Sequence, residues 1–266
     1  MVATGGFMEI NIEDLRWHRI KVLFKNRNDS TILVSVLHAI FEGAYIDSFP
    51  DLHEHGEDPA PLVFHPDRMK FNHRLKVNEL FQVTILLCRH SMSDVFKFCE
   101  ELERRMKIPE NAALYFIDRI ISVEERNPGI LRKESGDIIG SGSISLNFLL
   151  PYNKKGMKAK DAKNLKKADF VKDFEKRFTK LFGMELKYFS ENDDFEIDSS
   201  GWNYTDVAKR NSKSKPGTHY INGFAGKLTI KGVFNDFLPF ILLGSELHAG
   251  AKITFGLGYY VVCQKP

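Results

Sequence analysis

The chain is poor in cysteine, in long apolar runs and in the spacings that bind metals or nucleotides. Its three cysteines, Cys88, Cys99 and Cys263, are too few and too scattered for a disulfide framework or a zinc site. This fits a reducing, cytoplasmic setting. No apolar run approaches the roughly eighteen residues of a membrane span, so no membrane partner is expected. The N-terminus lacks the basic region and apolar stretch of a signal peptide. No helical HExxH spacing occurs. The cluster Asp51, His53, Glu54, His55, Asp58 and His65 reads as a solvated loop, so no metal and no cofactor are expected.

What is present begins with a C-terminal pattern. Asn235 or Asp236 caps a helix with Pro239 in its first turn, and Phe237, Phe240, Ile241, Leu242, Leu243 and Leu247 make it apolar. A loop with Gly250, Gly256 and Gly258 follows, then the strand 259–262. The order helix, glycines, strand excludes a dinucleotide fingerprint, and no Gly-Lys-Ser/Thr makes a P-loop. Such a loop, with Lys252 inside it, is either a phosphate cradle or a turn that lets helix and strand pack closely.

Net charge is only +3, but it is unevenly spread. Residues 153–180 hold eleven Lys/Arg against four Asp/Glu, and residues 203–231 hold six against one. Residues 46–58 carry five acids and no Lys or Arg. This polarity suits a polyanion partner, although a solvated basic helix face explains the first segment equally simply.

Hydrophobic periodicity predicts strands at 16–25, 61–65, 68–72, 76–89 and 113–125, with helices at 31–44 and, capped by Ser91, at 93–106. Asn127-Pro128-Gly129 and the stretch 136–142 read as a linker. The second half repeats the order: strand 143–150, basic amphipathic helix 161–182, strand signals at 185–189, 201–204 and 220–234, then the C-terminal helix, loop and strand. Each half reads βαββαβ. The expected fold is α+β, two tandem ferredoxin-like (RRM-like) domains at 1–135 and 136–266, the second ending in the glycine-rich loop.

The stretch from His248 to Tyr260 (HAGAKITFGLGYY), with Arg210-Asn211-Ser212 and the strand 223–232, resembles the CRISPR repeat-RNA processing endoribonucleases, Cas family six of the repeat-associated mysterious protein superfamily. The resemblance is strongest from about Trp202 to the end. It implies two ferredoxin-like domains and metal-independent cleavage of CRISPR precursor RNA within the repeat, leaving 2′,3′-cyclic phosphate and 5′-OH ends. It also implies repeat RNA and other CRISPR effector subunits as partners. The alternative within the superfamily is a non-catalytic guide-RNA-binding subunit.

Cleavage by the ribose 2′-OH needs a general base, a general acid and a group that stabilises the phosphorane, and histidine suits the first two roles. Two histidines compete. His38 lies on the first helix, where the family often places its histidine, with Tyr45 beyond it to orient a phosphate or 2′-OH. His248 opens the glycine loop and could touch the scissile phosphate. Their structural alternatives are a histidine on a helix flank and a cation at a helix C-terminus. Lys252, Gly250, Gly256, Gly258, Arg210, Lys213 and Lys215 are the phosphate-contact candidates.

Overall fold

The computed structural model describes residues 12–31, 34–51, 61–67, 74–107, 115–136, 138–154, 158–161, 163–211, 218–251 and 257–264, with backbone alone at 30–31, 34–35, 161, 206–211 and 218–221. The expected strand at 68–72 lies outside them. Strands are β1 Trp17–Asn26, β2 Ser30–Thr31, β3 Leu62–Pro66, β4 Arg74–Leu75, β5 Leu80–Cys88, β6 Tyr115–Arg126, β7 Ser141–Tyr152, β8 Phe195–Asn211, β9 Thr218–Val233 and β10 Tyr260–Gln264. Helices are α1 Val34–Ser48, α2 Met92–Arg105, α3 Pro128–Glu134, α4 Lys167–Phe182 and α5 Leu238–Leu247.

Two four-stranded antiparallel sheets result, in the orders β3-β5-β1-β6 and β10-β7-β9-β8. Setting aside the small β2–β4 pair, both orders are fourth, first, third, second read backwards or forwards, with a helix after the first and third strands. Each sheet with its helices is therefore a ferredoxin-like unit, as the sequence pattern predicts.

The alternation along β1 decides what each face of the first sheet does. Ile20, Val22 and Phe24 point to one face and pack beneath α1 and α2 with Phe41, Phe64, Phe81 and Phe98. Trp17 points to the other, with Val63, Leu86 and Cys88, and these join the core of the second sheet and its helices α4 and α5. One apolar cluster thus runs from the second unit onto the first sheet's open face. Phe182 of α4 meets Trp17 edge-on at 6.5 Å between ring centroids.

Four local expectations are corrected. The segment 127–135 is not simple linker. Asn127 Oδ1 accepts the Ile130 N–H at 3.0 Å and Pro128 stands in the first turn, so the Asn-Pro-Gly sequence starts α3. The segment 185–189 is not a strand. Its N–H groups donate instead to α4 side chains, Leu186 to Thr179 Oγ1 at 3.1 Å and Tyr188 to Glu175 Oε1 at 2.9 Å. The first helix runs four residues past Ala44, because Gly43 leaves room for the Arg105 guanidinium of α2, which bridges to Asp47 at 2.7 Å. Finally, α5 is not capped by Asn235 or Asp236. The Asp193 carboxylate reaches across and accepts from the Asp236 and Phe237 N–H groups at 3.1 and 2.9 Å.

Candidate functional site

A cleft of about 330 Å³ opens between the first sheet's open face and the α3, α5 and Tyr259 surfaces. Arg19 and Lys21 of β1, His65 of β3 and Arg126 of β6 reach it from the sheet, and Glu246 and Tyr259 from the other side. Strand alternation puts these sheet residues on one face at two-residue spacing.

Carboxylates thread the cleft's arginines together. Arg126 Nη1 donates to Glu134 Oε1 at 2.7 Å, and its Nη2 donates to Glu246 Oε2 at 3.2 Å. Arg19 Nη2 donates to Glu124 Oε2 at 2.6 Å, while its Nη1 lies 3.5 Å from Glu246 Oε1. Burial raises the Glu246 pKa, and the Arg126 and Arg19 charges oppose it. The hydrogen bond from Arg126 holds Glu134 below the usual carboxylate range.

His65 stacks on Tyr259, with centroids 3.9 Å apart and planes 10° from parallel. Burial holds its pKa down at about 4. His248 lies 5.2 Å from the His65 ring and is wholly buried. Its Nδ1 pairs with the Leu257 carbonyl oxygen at 3.0 Å, and burial keeps the ring neutral, with a pKa well below the ordinary value. Nδ1 therefore carries the proton and donates, leaving Nε2 as a bare acceptor with no hydrogen-bond partner. The backbone at His248 has φ 66° and ψ 167°, a region almost reserved for glycine, so this residue is held under strain.

The glycine loop is pinned at both ends. The Ala251 N–H donates to the Asn153 carbonyl at 2.6 Å, the Gly258 N–H to Pro151 at 2.9 Å, and the Ala249 N–H to Gly258 at 3.1 Å. Gly250 has φ +88°, and a Cβ there would stand 2.6 Å from the Asn153 oxygen. Gly258 has φ +81°, with the Ala249 carbonyl where a Cβ would go. Both glycines meet a demand of backbone geometry. Lys252 and Gly256 lie outside the described residues, as do Lys213, Lys215 and residues 52–60 of the His-rich acidic loop. Arg210 is in β8, opposite His219 of β9, with its backbone alone described.

His38 and Tyr45 lie elsewhere. They share a face of α1, which packs on the opposite side of the first sheet from His65 and His248. The His38 side chain is 13% exposed and its Nδ1 lies 3.4 Å from Glu42 Oε2, one turn on. Tyr45 is buried, and its hydroxyl lies 3.0 Å from His90 Nε2. Phe49 stacks on His90 at 4.4 Å, and burial holds the His90 pKa down at about 4. The two candidate histidines are thus separated by a sheet. Sequence reasoning missed Arg19, Arg126, Glu246, His65 and Tyr259. The usable signal was Arg19 and Lys21 interleaved with apolar residues along β1, which marks a charged second face.

Comparison with known proteins follows these features. The family described as CRISPR-associated endoribonuclease Cas6 matches residues 146–260. A search of curated protein sequences returns no match. Among solved structures, a Cas6 product complex superposes with a TM-score of 0.58 at 13% identity, covering 92% of this chain and all of that one. A Cas6-related protein from Pyrococcus furiosus gives 0.52 at 14% identity, covering 95% of this chain and all of that one. A chain of a partial Cas6-RT-Cas1–Cas2 complex gives 0.63 at 11% identity, covering 96% of this chain and 47% of that one. The fold is that of the solved Cas6 proteins, and the chain resembles the CRISPR-associated Cas6 endoribonuclease family, with its sequence match in the second ferredoxin-like unit.

Proposed function

We propose that this chain is a metal-independent endoribonuclease that cuts CRISPR precursor RNA within its repeat. The observation that carries the reading is the His38–Glu42 pair, set on α1 of a fold shared with Cas6 structures. A carboxylate beside Nδ1 orients the ring and favours its charged form, which suits proton transfer near neutrality. The ribose 2′-OH loses its proton and attacks the adjacent phosphorus. The P–O5′ bond breaks, and the departing oxygen takes up a proton. The products are a 2′,3′-cyclic phosphate and a 5′-OH.

His38 is the acid–base group in this scheme. His248, buried and held neutral, is the less suited of the two, and Tyr45 acts through its contact with His90. Lys252, Arg210, Lys213 and Lys215, with the loop of Gly250, Gly256 and Gly258, hold the RNA backbone. The working division is two domains, 1–135 and 136–266. Repeat RNA and other CRISPR subunits are the proposed partners, in the cytoplasm. Among the described residues no helix is long and apolar enough to cross a membrane.

The test is incubation of the purified protein with its host's repeat RNA in EDTA, followed by end analysis. One cut with a cyclic phosphate end, lost in His38→Ala, supports the reading. Full cleavage by the His38→Ala/His248→Ala double variant rejects the assigned chemistry. Tight binding without cutting makes the chain a guide-RNA-binding subunit instead.

A further inference from the structure

Arg177 on α4 is only 6% exposed, and neither its Nε nor its Nη2 finds a hydrogen-bond acceptor. Burial lowers its pKa to about 9, which still leaves it charged at neutral pH. A lone buried cation is expensive and is normally paired.

The neighbours do not pair it. Its charge acts on Cys88 and on His248. The Cys88 thiol is pushed up to about 12 by burial and stays neutral. Glu246, also near Cys88, is engaged by Arg126 at 3.2 Å and by Arg19 at 3.5 Å. His248 offers a bare Nε2, also without a partner and wholly buried. One corner of the core therefore holds guanidinium donors lacking an acceptor and an imidazole acceptor lacking a donor.

These needs are opposite in kind, and one small molecule can meet both. It must carry a negative oxygen for Arg177 and a hydroxyl for His248. Chloride has no hydroxyl, sulfate has no proton at neutral pH, and a phosphodiester has neither a proton nor room at this burial. We infer that Arg177 and His248 form a buried site for a small protonated oxyanion, of which inorganic hydrogen phosphate is the fitting class. Bound there, it ties α4 to the residue that opens the glycine loop. The inference does not depend on the nuclease reading.

The test is calorimetric titration of the full-length protein with inorganic phosphate, and separately with sulfate, at fixed ionic strength and pH 7. It is paired with thermal unfolding of wild type and Arg177→Met. Saturable phosphate binding is expected, with a rise in Tm of about 3 °C at ten times the Kd. Sulfate should bind roughly tenfold more weakly, having lost a hydrogen bond. Arg177→Met should abolish the phosphate effect and unfold no earlier than wild type in phosphate-free buffer, because it removes a lone charge.

Equal stabilisation of wild type and variant by both salts is general salt exclusion and overturns the site. Absence of binding to wild type overturns it too. If Arg177→Met does not fold, the preference of wild type for phosphate over sulfate decides, and no preference counts against the site. Arg177-dependent stabilisation by repeat RNA but not by phosphate would transfer the site to the polymer and overturn the free-anion assignment.

Discussion

Arg126 on β6 and Glu246 on α5, 120 residues apart in the chain, meet as a buried pair at 3.2 Å. Both are under 10% exposed, and Glu246 also draws Arg19 from β1. The contact fastens the end of α5, and with it the start of the glycine loop, to the open face of the first sheet. Removing one partner of a buried pair strands the other charge.

Glu246→Ala should therefore lower stability by about 3–5 kcal/mol. Glu134→Ala removes a half-exposed partner of the same arginine and should cost under about 1 kcal/mol. Urea unfolding of the two variants checks the order. Equal losses would mean that Glu246 does not anchor the interface.

The buried histidines make the protein acid-sensitive. Burial lowers the pKa of His18, His65, His90 and His248, to about 4 for His65 and His90. The unfolded chain binds these protons near pH 6.5, and the folded chain resists them until about pH 4. Stability is therefore complete above the unfolded value and falls as pH drops from about 6.5 towards 4. His65 alone should account for about 2 kcal/mol by pH 5. His65→Phe, which keeps a ring against Tyr259, should flatten the decline measured by unfolding between pH 7.5 and 5. An unchanged slope would show that His65 titrates normally.

On the nuclease reading, His38→Ala should slow single-turnover cleavage by about 10²–10⁴-fold with RNA affinity retained. Glu42→Gln should cost roughly fivefold, since a half-exposed pair is worth at most about 1 kcal/mol. It should also shift the acidic limb of the pH–rate profile downwards, because the carboxylate favours the imidazolium. A profile identical to wild type would remove Glu42 from the mechanism.

Gly258→Ala should destabilise the fold by about 3 kcal/mol or more, combining a positive φ with a collision against the Ala249 carbonyl. Gly136→Ala, at φ +62° but in open space, should cost only about 1 kcal/mol. Thermal unfolding separates close approach from φ strain. Equal losses would show that the conformation alone matters.

Both βαββαβ units are legible in the sequence, because periodicity and turn chemistry are local. Ser91 illustrates this: it caps α2 in a capping box with Asp94, three residues on. The failures are non-local. The segment 185–189 has strand composition, but its hydrogen bonds go to α4. The α5 cap comes from Asp193, more than forty residues upstream.

The candidate site divides the same way. The sequence by itself determined the basic segments, the histidines available and the glycines that permit positive φ. Only the tertiary structure decided that His38 keeps a partly exposed ring beside Glu42 while His248 is sealed beneath Tyr259 on the other side of a sheet. It alone placed Arg19, Arg126 and Glu246 in one cleft and left Arg177 without an acceptor. Burial and charge pairing depend on which distant elements come to lie over a side chain, and no local pattern encodes that.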